Sequence, residues 1–250
     1  MKKLTAIVPC KNEEHNIDQV LESVKWVDEV MVVDSFSTDN TVEIAKRHTE
    51  FVLQHEYVNS ASQKNWAIPQ ASNEWILLVD ADERVTPELK QEIQNILASD
   101  TEYVAYWIYR DNYFMGKHLK YGGVRGDRVI RLFKRDSCNY QDKNVHAEVV
   151  ANGKIGVMES KLIHNTYKDL GHYLEKIQRY SFWSAKDYDS KTGTIHIYHL
   201  IIKPWFKFFQ FYILKGGFLD GFVGFVVAAL SGYSVFLRYI QLWSLRRLSK

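Results

Sequence analysis

The chain has 250 residues, 46% of them apolar and 25% charged, with 4 Pro and 13 Gly. That balance excludes disordered, collagen-like and low-complexity classes, and the length suits one large domain or one domain with an appendage. The formal charge of +2 conceals an asymmetry, because residues 201–250 hold seven basic residues against the single acid Asp220 while the first 200 are mildly acidic.

Leu4–Pro9 is a short apolar run closed by proline, which predicts a buried strand. The run is too short for a secretory signal and meets Lys11-Asn12-Glu13-Glu14 with no small-residue cleavage site, so a cytoplasmic location is expected. Ile17, Val20, Leu21 and Val24 recur at helical spacing and predict a helix lying on a sheet. Val30–Val33 reads as a second strand ending at Asp34. A polar turn over Ser35–Asn40 then leads into a helix through about His48. Phe51–Leu53 predicts a third strand, Ser62–Ala71 a helix, and Trp75–Val79 a fourth strand ending at Asp80. Thr86-Pro87-Glu88 is a helix start, with Leu89, Ile93, Ile96 and Leu97 as the apolar face. Strand and helix alternating at this spacing predict an α/β fold with a mostly parallel sheet, whose ligands sit at the carboxyl ends of the strands.

Beyond residue 100 the alternation breaks. Tyr103–Arg110 and Arg128–Lys134 read as strands. Asn152-Gly153 predicts a hairpin joining Glu148–Ala151 to Lys154–Met158, and a helix is expected over Leu170–Asp187. Residues 197–248 are aromatic and aliphatic. Gly221–Leu237 carries no charge over 17 residues, short of the roughly 20 that span a bilayer. Trp205, Phe206, Phe208, Phe209, Phe211 and Tyr212 interleave with Lys203, Lys207 and Lys215, as in an interfacial amphipathic stretch. Three arrangements of this tail stay open: contact with an anionic membrane surface, which the charge pattern favours; packing on the body or in a homo-oligomer; and a true span. Nucleic acid is not an expected partner, since the positive charge sits among apolar stripes.

The sharpest chemical signal is Asp80-Ala81-Asp82 directly after a hydrophobic strand. Carboxylates at i and i+2 on extended backbone point to one side, and a divalent cation, Mg²⁺ or Mn²⁺, would relieve their repulsion. Asp34 at another strand end is either an acceptor for a base or ribose or a turn-forming residue. Cys10 and Cys138 support neither a disulfide framework nor a four-cysteine zinc site. His196 and His199 have helical spacing without a third ligand nearby. No glycine-rich dinucleotide loop follows the first strand, and no Walker A loop or serine-hydrolase elbow is present.

Ile7-Val-Pro9 with Asn12-Glu13, Val33-Asp34 with Ser37-Thr38-Asp39, Gln63-Lys64-Asn65, and Leu78-Val-Asp80-Ala-Asp82-Glu83-Arg84 occur in an order and spacing that resembles family 2 glycosyltransferases of the GT-A fold. Arg131-Leu-Phe133, Val145-His146-Ala-Glu148 and Gly216-Gly-Phe-Leu-Asp220-Gly221 are similar to the bacterial lipopolysaccharide-core glucosyltransferases of the WaaE/KdtX type. The chain carries Asp34-Ser35-Phe36 where many such proteins have Asp-Asp-Gly, and an alanine separates His146 from Glu148.

The resemblance implies a GT-A nucleotide-sugar-binding domain over 1–165 and a helical, aromatic, basic extension over 166–250. It implies that Pro9, Asn12 and Glu13 line the nucleotide pocket, that Asp34 contacts uracil or ribose, and that Lys64 lies near the base and diphosphate. Asp80 would face the ribose and Asp82 would bind the metal, Mg²⁺ or Mn²⁺. An inverting transfer also needs a base for the acceptor hydroxyl, for which Glu148 leads and Asp142 follows, with His146 positioning the acceptor. Arg131, with Arg125 and Arg128, would meet an anionic acceptor, or Arg131 would be a buried partner for an acid. The activity implied is metal-dependent transfer of a hexose, glucose first, from a UDP-sugar to a lipopolysaccharide-core or other glycolipid acceptor by an enzyme peripheral on the inner face of the cell membrane. A polyprenyl-phosphate glycosyltransferase and a non-catalytic nucleotide-sugar-binding module are the alternatives.

Overall fold

The structure, a computed structural model, describes residues 2–143, 147–165 and 170–248. The chain divides into two compact units, Met1–Asp111 with Arg128–His164 and Asn112–Asp127 with Asn165–Lys250.

The first unit begins with β1 (Leu4–Cys10), α1 (Ile17–Val24), β2 (Glu29–Asp34), α2 (Thr41–Ala45), β3 (Val52–Gln54), α3 (Ser60–Ala67), β4 (Trp75–Leu78), β5 (Glu83–Val85) and α4 (Pro87–Ala98). β6 (Tyr103–Phe114) follows, and its last residues pair with β7 (Lys117–Leu119) inside the second unit. The first unit resumes with β8 (Arg128–Lys134), β9 (Cys138–Tyr140), β10 (Val149–Ala151) and β11 (Lys154–Asn165). The main sheet has the order β3-β2-β1-β4-β8-β6-β11-β5. β3, β2, β1 and β4 run parallel, whereas β8 is antiparallel to β4 and β5 is antiparallel to β11.

The parallel strands read as unbroken apolar runs because both of their faces are covered. Alternate residues go to opposite sides. Ala6, Val8, Trp75 and Leu77 pack with the α1 stripe Ile17, Val20, Leu21 and Val24 and with Leu89, Ile93 and Leu97 of α4. Ile7, Ile76 and Leu78 meet Ala61, Ala67 and Ile68 from α3 and the turn after it. Each fully buried Val, Leu or Ile contributes about 1.5–3 kcal/mol, enough for these stripes to fix the helices on the sheet. Thr86 caps α4 by accepting from Leu89 N (3.1 Å), with Pro87 at the first turn.

In the second unit, α5 (Leu170–Asp189), α6 (Ile197–Leu200) and α7 (Ile202–Phe209) precede α8 (Gly221–Leu248). α8 buries Gly224, Ala228, Gly232, Val235, Tyr239 and Leu242 along one side. The glycines permit close approach: a Cβ on Gly232 would lie 2.9 Å from Pro204 O, and one on Gly224 would lie 1.9 Å from Gly217 O. Asp220 accepts from the backbone N–H groups of Lys120 (3.1 Å) and Tyr121 (2.9 Å), so the Gly216–Gly221 motif is a packing joint. The segment Gly217–Leu248 is long and apolar enough to cross a bilayer by length and composition, a property that packed helices of soluble proteins share.

Several boundaries differ from the sequence expectations. α2 stops at Ala45 because Arg47 N and His48 N bond three residues back, which tightens the helix into turns. α3 starts at Ser60, capped by Asn59, whose side chain accepts from Ser62 N (2.8 Å) while Ser62 Oγ accepts from Asn59 N (3.3 Å). The expected pairing of Glu148–Ala151 with Lys154–Met158 is corrected. β10 pairs with β9, and Asn152 N continues that ladder to Ser137 O (2.8 Å). Gly153, at φ +152°, lets the chain leave, and β11 joins the main sheet between β6 and β5.

Candidate functional site

At the carboxyl ends of β1 and β2 the two following loops are laced together. Cys10 is in register with Asp34. Asn12 adopts φ +55°, its N–H donates to Ser37 Oγ (2.8 Å), and its Oδ1 accepts from Thr38 N (2.8 Å). Glu13 N donates to Thr41 Oγ1 (2.7 Å), and Asp39 ties Thr41 to Glu14 N. The carboxyl of Asp39, which burial alone would raise, is held below its ordinary value by the Thr41 hydroxyl and these N–H groups. Pro9, Asn12 and Glu13 thus stand on a braced wall beside the strand ends.

Asp34 is fully buried. It accepts from Ser37 N (3.0 Å) and Gln54 Nε2 (3.1 Å), and Cys10 Sγ lies 3.8 Å away. Its oxygens close the Asp34–Ser37 turn. Burial, with Asp34 beside it, raises the Cys10 thiol far above its usual value, and burial pushes Cys138 up to about 11.

The triplet after β4 separates into two differently used carboxylates. Val79 N still bonds to Ile7 O (3.0 Å), so Asp80 is one residue past the sheet ladder. Lys64 Nζ is 2.9 Å from Asp80 Oδ1, and Arg131 Nη2 donates to Asp80 Oδ2. Burial would raise the Asp80 carboxyl, but Arg131 and Lys64 outweigh it and hold the group well below the usual carboxylate range. Lys64 and Arg131 are raised in turn, against their own burial, with Asp80 the leading cause. Glu83 completes the cluster. Fully buried, it accepts from Arg131 Nε (2.9 Å) and Nη2 (2.7 Å) and from Asp80 N (3.0 Å), with Arg110 Nη1 at 3.5 Å. Lys64 and Arg131 thus offset the charge of Asp80. Arg131 is a buried partner for acids in this arrangement.

Three consecutive residues of α3 hold three elements. Gln63 Nε2 donates to Val33 O (3.2 Å), Lys64 pairs with Asp80, and the Asn65 side chain brackets Tyr140 of β9. Asn65 Nδ2 donates to Tyr140 O (2.9 Å), and Tyr140 N donates to Asn65 Oδ1 (2.8 Å). Tyr140 also lies beneath Lys64 Nζ, 5.2 Å from its ring centroid.

Asp82 faces a residue that the sequence reading missed. His164 Nε2 on β11 is 3.5 Å from Asp82 Oδ2, because β11 runs antiparallel to β5 with His164 opposite Glu83. The available signal was weak: His164 falls in phase with the alternating inward positions Gly156, Met158 and Leu162. A carboxylate oxygen is a fitting donor for Mn²⁺ or Mg²⁺, and an imidazole nitrogen suits Mn²⁺ better than the oxygen-seeking Mg²⁺. Neighbouring ligands about 2.1 Å from an octahedral ion stand about 3 Å apart, close to the separation seen. Among the described residues no three His, Cys, Asp or Glu side chains form a metal cluster. An ion here would complete its shell with water and substrate oxygens.

Glu148 and Asp142 are exposed. Glu148 O accepts from Gln141 N (3.0 Å), which places Glu148 one step along the β9–β10 ladder from Tyr140 and Val149. Asp142 follows Gln141 on the same loop. His146 lies outside the described residues.

The family model described as glycosyl transferase family 2 matches residues 5–147. The chain is 30% identical to an uncharacterized glycosyltransferase of Rickettsia typhi, over 97% of this chain and 87% of that protein. It is 27% identical to the lipopolysaccharide core biosynthesis glycosyltransferase LpsC of Rhizobium meliloti, over 94% of this chain and 93% of that protein. Among solved structures, glucosyl-3-phosphoglycerate synthase from Mycobacterium tuberculosis aligns at a TM-score of 0.38 and 19% identity, over 46% of this chain and 44% of that one.

Proposed function

The chain belongs to glycosyltransferase family 2, and from that premise we propose that it transfers a hexose with inversion from UDP-glucose to a lipopolysaccharide-core or other lipid-linked acceptor, using Mg²⁺ or Mn²⁺, at the inner face of the cell membrane. The single observation that carries the reading is the division of labour after β4, where Asp80 is clamped by Lys64 and Arg131 and Asp82 is directed to His164. The similarity to LpsC along most of both chains supports the acceptor class.

In this reading the braced loops of Pro9, Asn12 and Glu13 receive the nucleotide, and Asp80 orients the ribose from a position its two cations fix. Asp82 and His164 would hold the metal, which supplies positive charge against the diphosphate as it leaves. Inversion requires the acceptor hydroxyl to attack the anomeric carbon from the face opposite the diphosphate. Glu148 accepts the hydroxyl proton as the new C–O bond forms and the bond to the diphosphate breaks, so the products are the glycoside, UDP and a protonated carboxyl. An exposed carboxylate suits this role because it can reach an acceptor arriving from solvent.

The test is a screen of UDP-sugars with Mn²⁺ or Mg²⁺ and a lipopolysaccharide-core acceptor, read by UDP release. UDP-glucose should give the fastest acceptor-dependent release. Release from another sugar alone would overturn the donor assignment, and UDP binding without turnover for any donor and acceptor would overturn the activity.

A further inference from the structure

β9 and β10 form a two-stranded sheet of their own, with Cys138 opposite Ala151, Asn139 opposite Val150 and Tyr140 opposite Val149. A ladder this short is marginal by itself in water. Apolar burial of Cys138 and Tyr140 with Ala61, Ala67 and Ile68 keeps the ribbon on α3. Apolar contact is non-directional, however, and does not fix where along α3 the ribbon stands. That place matters because the ribbon carries Glu148: Gln141 N donates across it to Glu148 O (3.0 Å).

Antiparallel pairing dictates where a directional hold is available. Residues that bond across the ladder alternate with residues whose N–H and C=O turn outward. Gln141 bonds across, so Tyr140 turns its backbone groups to the outer edge, and Tyr140 is only 6% exposed. Asn65 meets both groups there. Its Nδ2 donates to Tyr140 O (2.9 Å), and its Oδ1 accepts from Tyr140 N (2.8 Å). One planar amide thus takes the place of a third strand. Asn139 Nδ2 reaches the same carbonyl only at 3.5 Å. The side chain of Tyr140 returns to the cations that clamp Asp80, with its ring 5.2 Å from Lys64 Nζ and its hydroxyl 3.4 Å from Arg131 Nη1. A continuous path therefore runs from Asp80 through Lys64 and Asn65, neighbours on α3, and through Tyr140 to Glu148.

We propose that Asn65 is a positioning residue for acceptor activation: its paired bonds to Tyr140 set where Glu148 stands relative to the Lys64–Asp80–Arg131 cluster, and so its reach to the acceptor hydroxyl. The inference rests on the proposed reaction, in which Glu148 takes the acceptor's proton. Asn65 acts through Tyr140 and the ladder, not on the substrate.

Asn65→Ala and Asn65→Leu are compared with the unaltered chain by steady-state transfer at saturating donor and acceptor, and by calorimetric titration of UDP with Mn²⁺. Both variants should lose kcat at least about tenfold, since a small misplacement of a reacting group is costly. Their UDP affinity should be unchanged, because the Lys64–Asp80 pair stays in place. Asn65→Ala added to Glu148→Gln should lower kcat no further than Glu148→Gln alone, because the two residues act as a unit. In the unaltered chain the Tyr140 amide should exchange with deuterium as slowly as the α3 amides, a readout that needs no variant. Unchanged kcat, a multiplicative loss in the double variant, an equal weakening of UDP binding, or fast exchange at Tyr140 would each overturn the inference and leave the reaction standing. An unaltered chain that binds UDP but transfers no sugar would overturn the reaction itself, and this inference with it.

Discussion

Lys64 and Arg131 grip Asp80 from opposite oxygens: Lys64 Nζ is 2.9 Å from Oδ1, and Arg131 donates to Oδ2. The carboxylate is thereby ion-paired through both oxygens before any ligand arrives. Asp80 is held below its ordinary 3.8, so its contribution to stability is complete above that value and is lost as pH falls through the lower folded-state value. Lys64 is raised above 10.5, so its contribution is complete below that value and is lost as pH climbs through the higher folded-state value. Urea unfolding should show the wild type losing stability between about pH 5 and about pH 3 more steeply than Asp80→Asn. Equal slopes would mean that the clamp does not couple to folding.

Arg131 is shared by Glu83 and Asp80 while almost wholly buried. Arg131→Met strips the buried Glu83, and Asp80 with it, of a shared guanidinium and should destabilise the chain by about 3–5 kcal/mol, with Glu83→Gln restoring part of the loss in the double variant. Denaturant midpoints at constant m-value measure both. A destabilisation below about 1 kcal/mol would show that water screens the cluster.

His164 Nε2 lies 3.5 Å from Asp82 Oδ2, and the proposed reaction makes it the second donor to the metal. His164→Ala should weaken Mn²⁺ binding in the presence of UDP by at least about tenfold, read from the paramagnetic signal of free Mn²⁺. Unchanged affinity would leave His164 as an ion-pair partner of Asp82 and nothing more.

Much of this architecture is legible in the sequence because it depends on local pattern. The apolar runs of β1, β2 and β4 and the stripe of α1 state their burial directly, and the aspartates stand where those runs stop. What escaped depends on pairing between distant segments. His164 becomes meaningful only once β11 is set beside β5, and no spacing in the chain records that register. The same blindness produced the expected hairpin at Asn152-Gly153, a sound local turn signal overridden when β10 took β9 as its partner. The hairpin between β6 and β7 was hidden for a different reason. Its turn is Met115-Gly116, with φ +47° and +77°, and methionine is not a residue that announces a left-handed position. For Arg131 the sequence left two readings, and only the proximity of Glu83, 48 positions away, separates them.

Glu148→Gln should lower kcat by about 10²–10⁴ while leaving the KM for the donor near its original value, because in the proposed reaction the carboxylate takes the acceptor's proton. Steady-state kinetics with saturating acceptor measure it. A comparable loss in Asp142→Asn, with Glu148→Gln active, would move the base to Asp142.

Gly224 faces the backbone of Gly217 so closely that a Cβ would lie 1.9 Å from its carbonyl oxygen. Gly224→Ala should force the joint around Asp220 apart and cost about 1–3 kcal/mol or more of stability, visible as a lower melting temperature. An unchanged melting temperature would show that α8 shifts freely at this point.

The central claim, that Asp82 holds the ion on which the nucleotide diphosphate is bound, is tested most directly by calorimetric titration of UDP with and without Mn²⁺. In the wild type Mn²⁺ should tighten UDP binding by at least about tenfold, and in Asp82→Asn that gain should vanish while the fold is retained. UDP affinity that is the same with and without Mn²⁺ in the wild type, or an undiminished Mn²⁺ effect in Asp82→Asn, would contradict it.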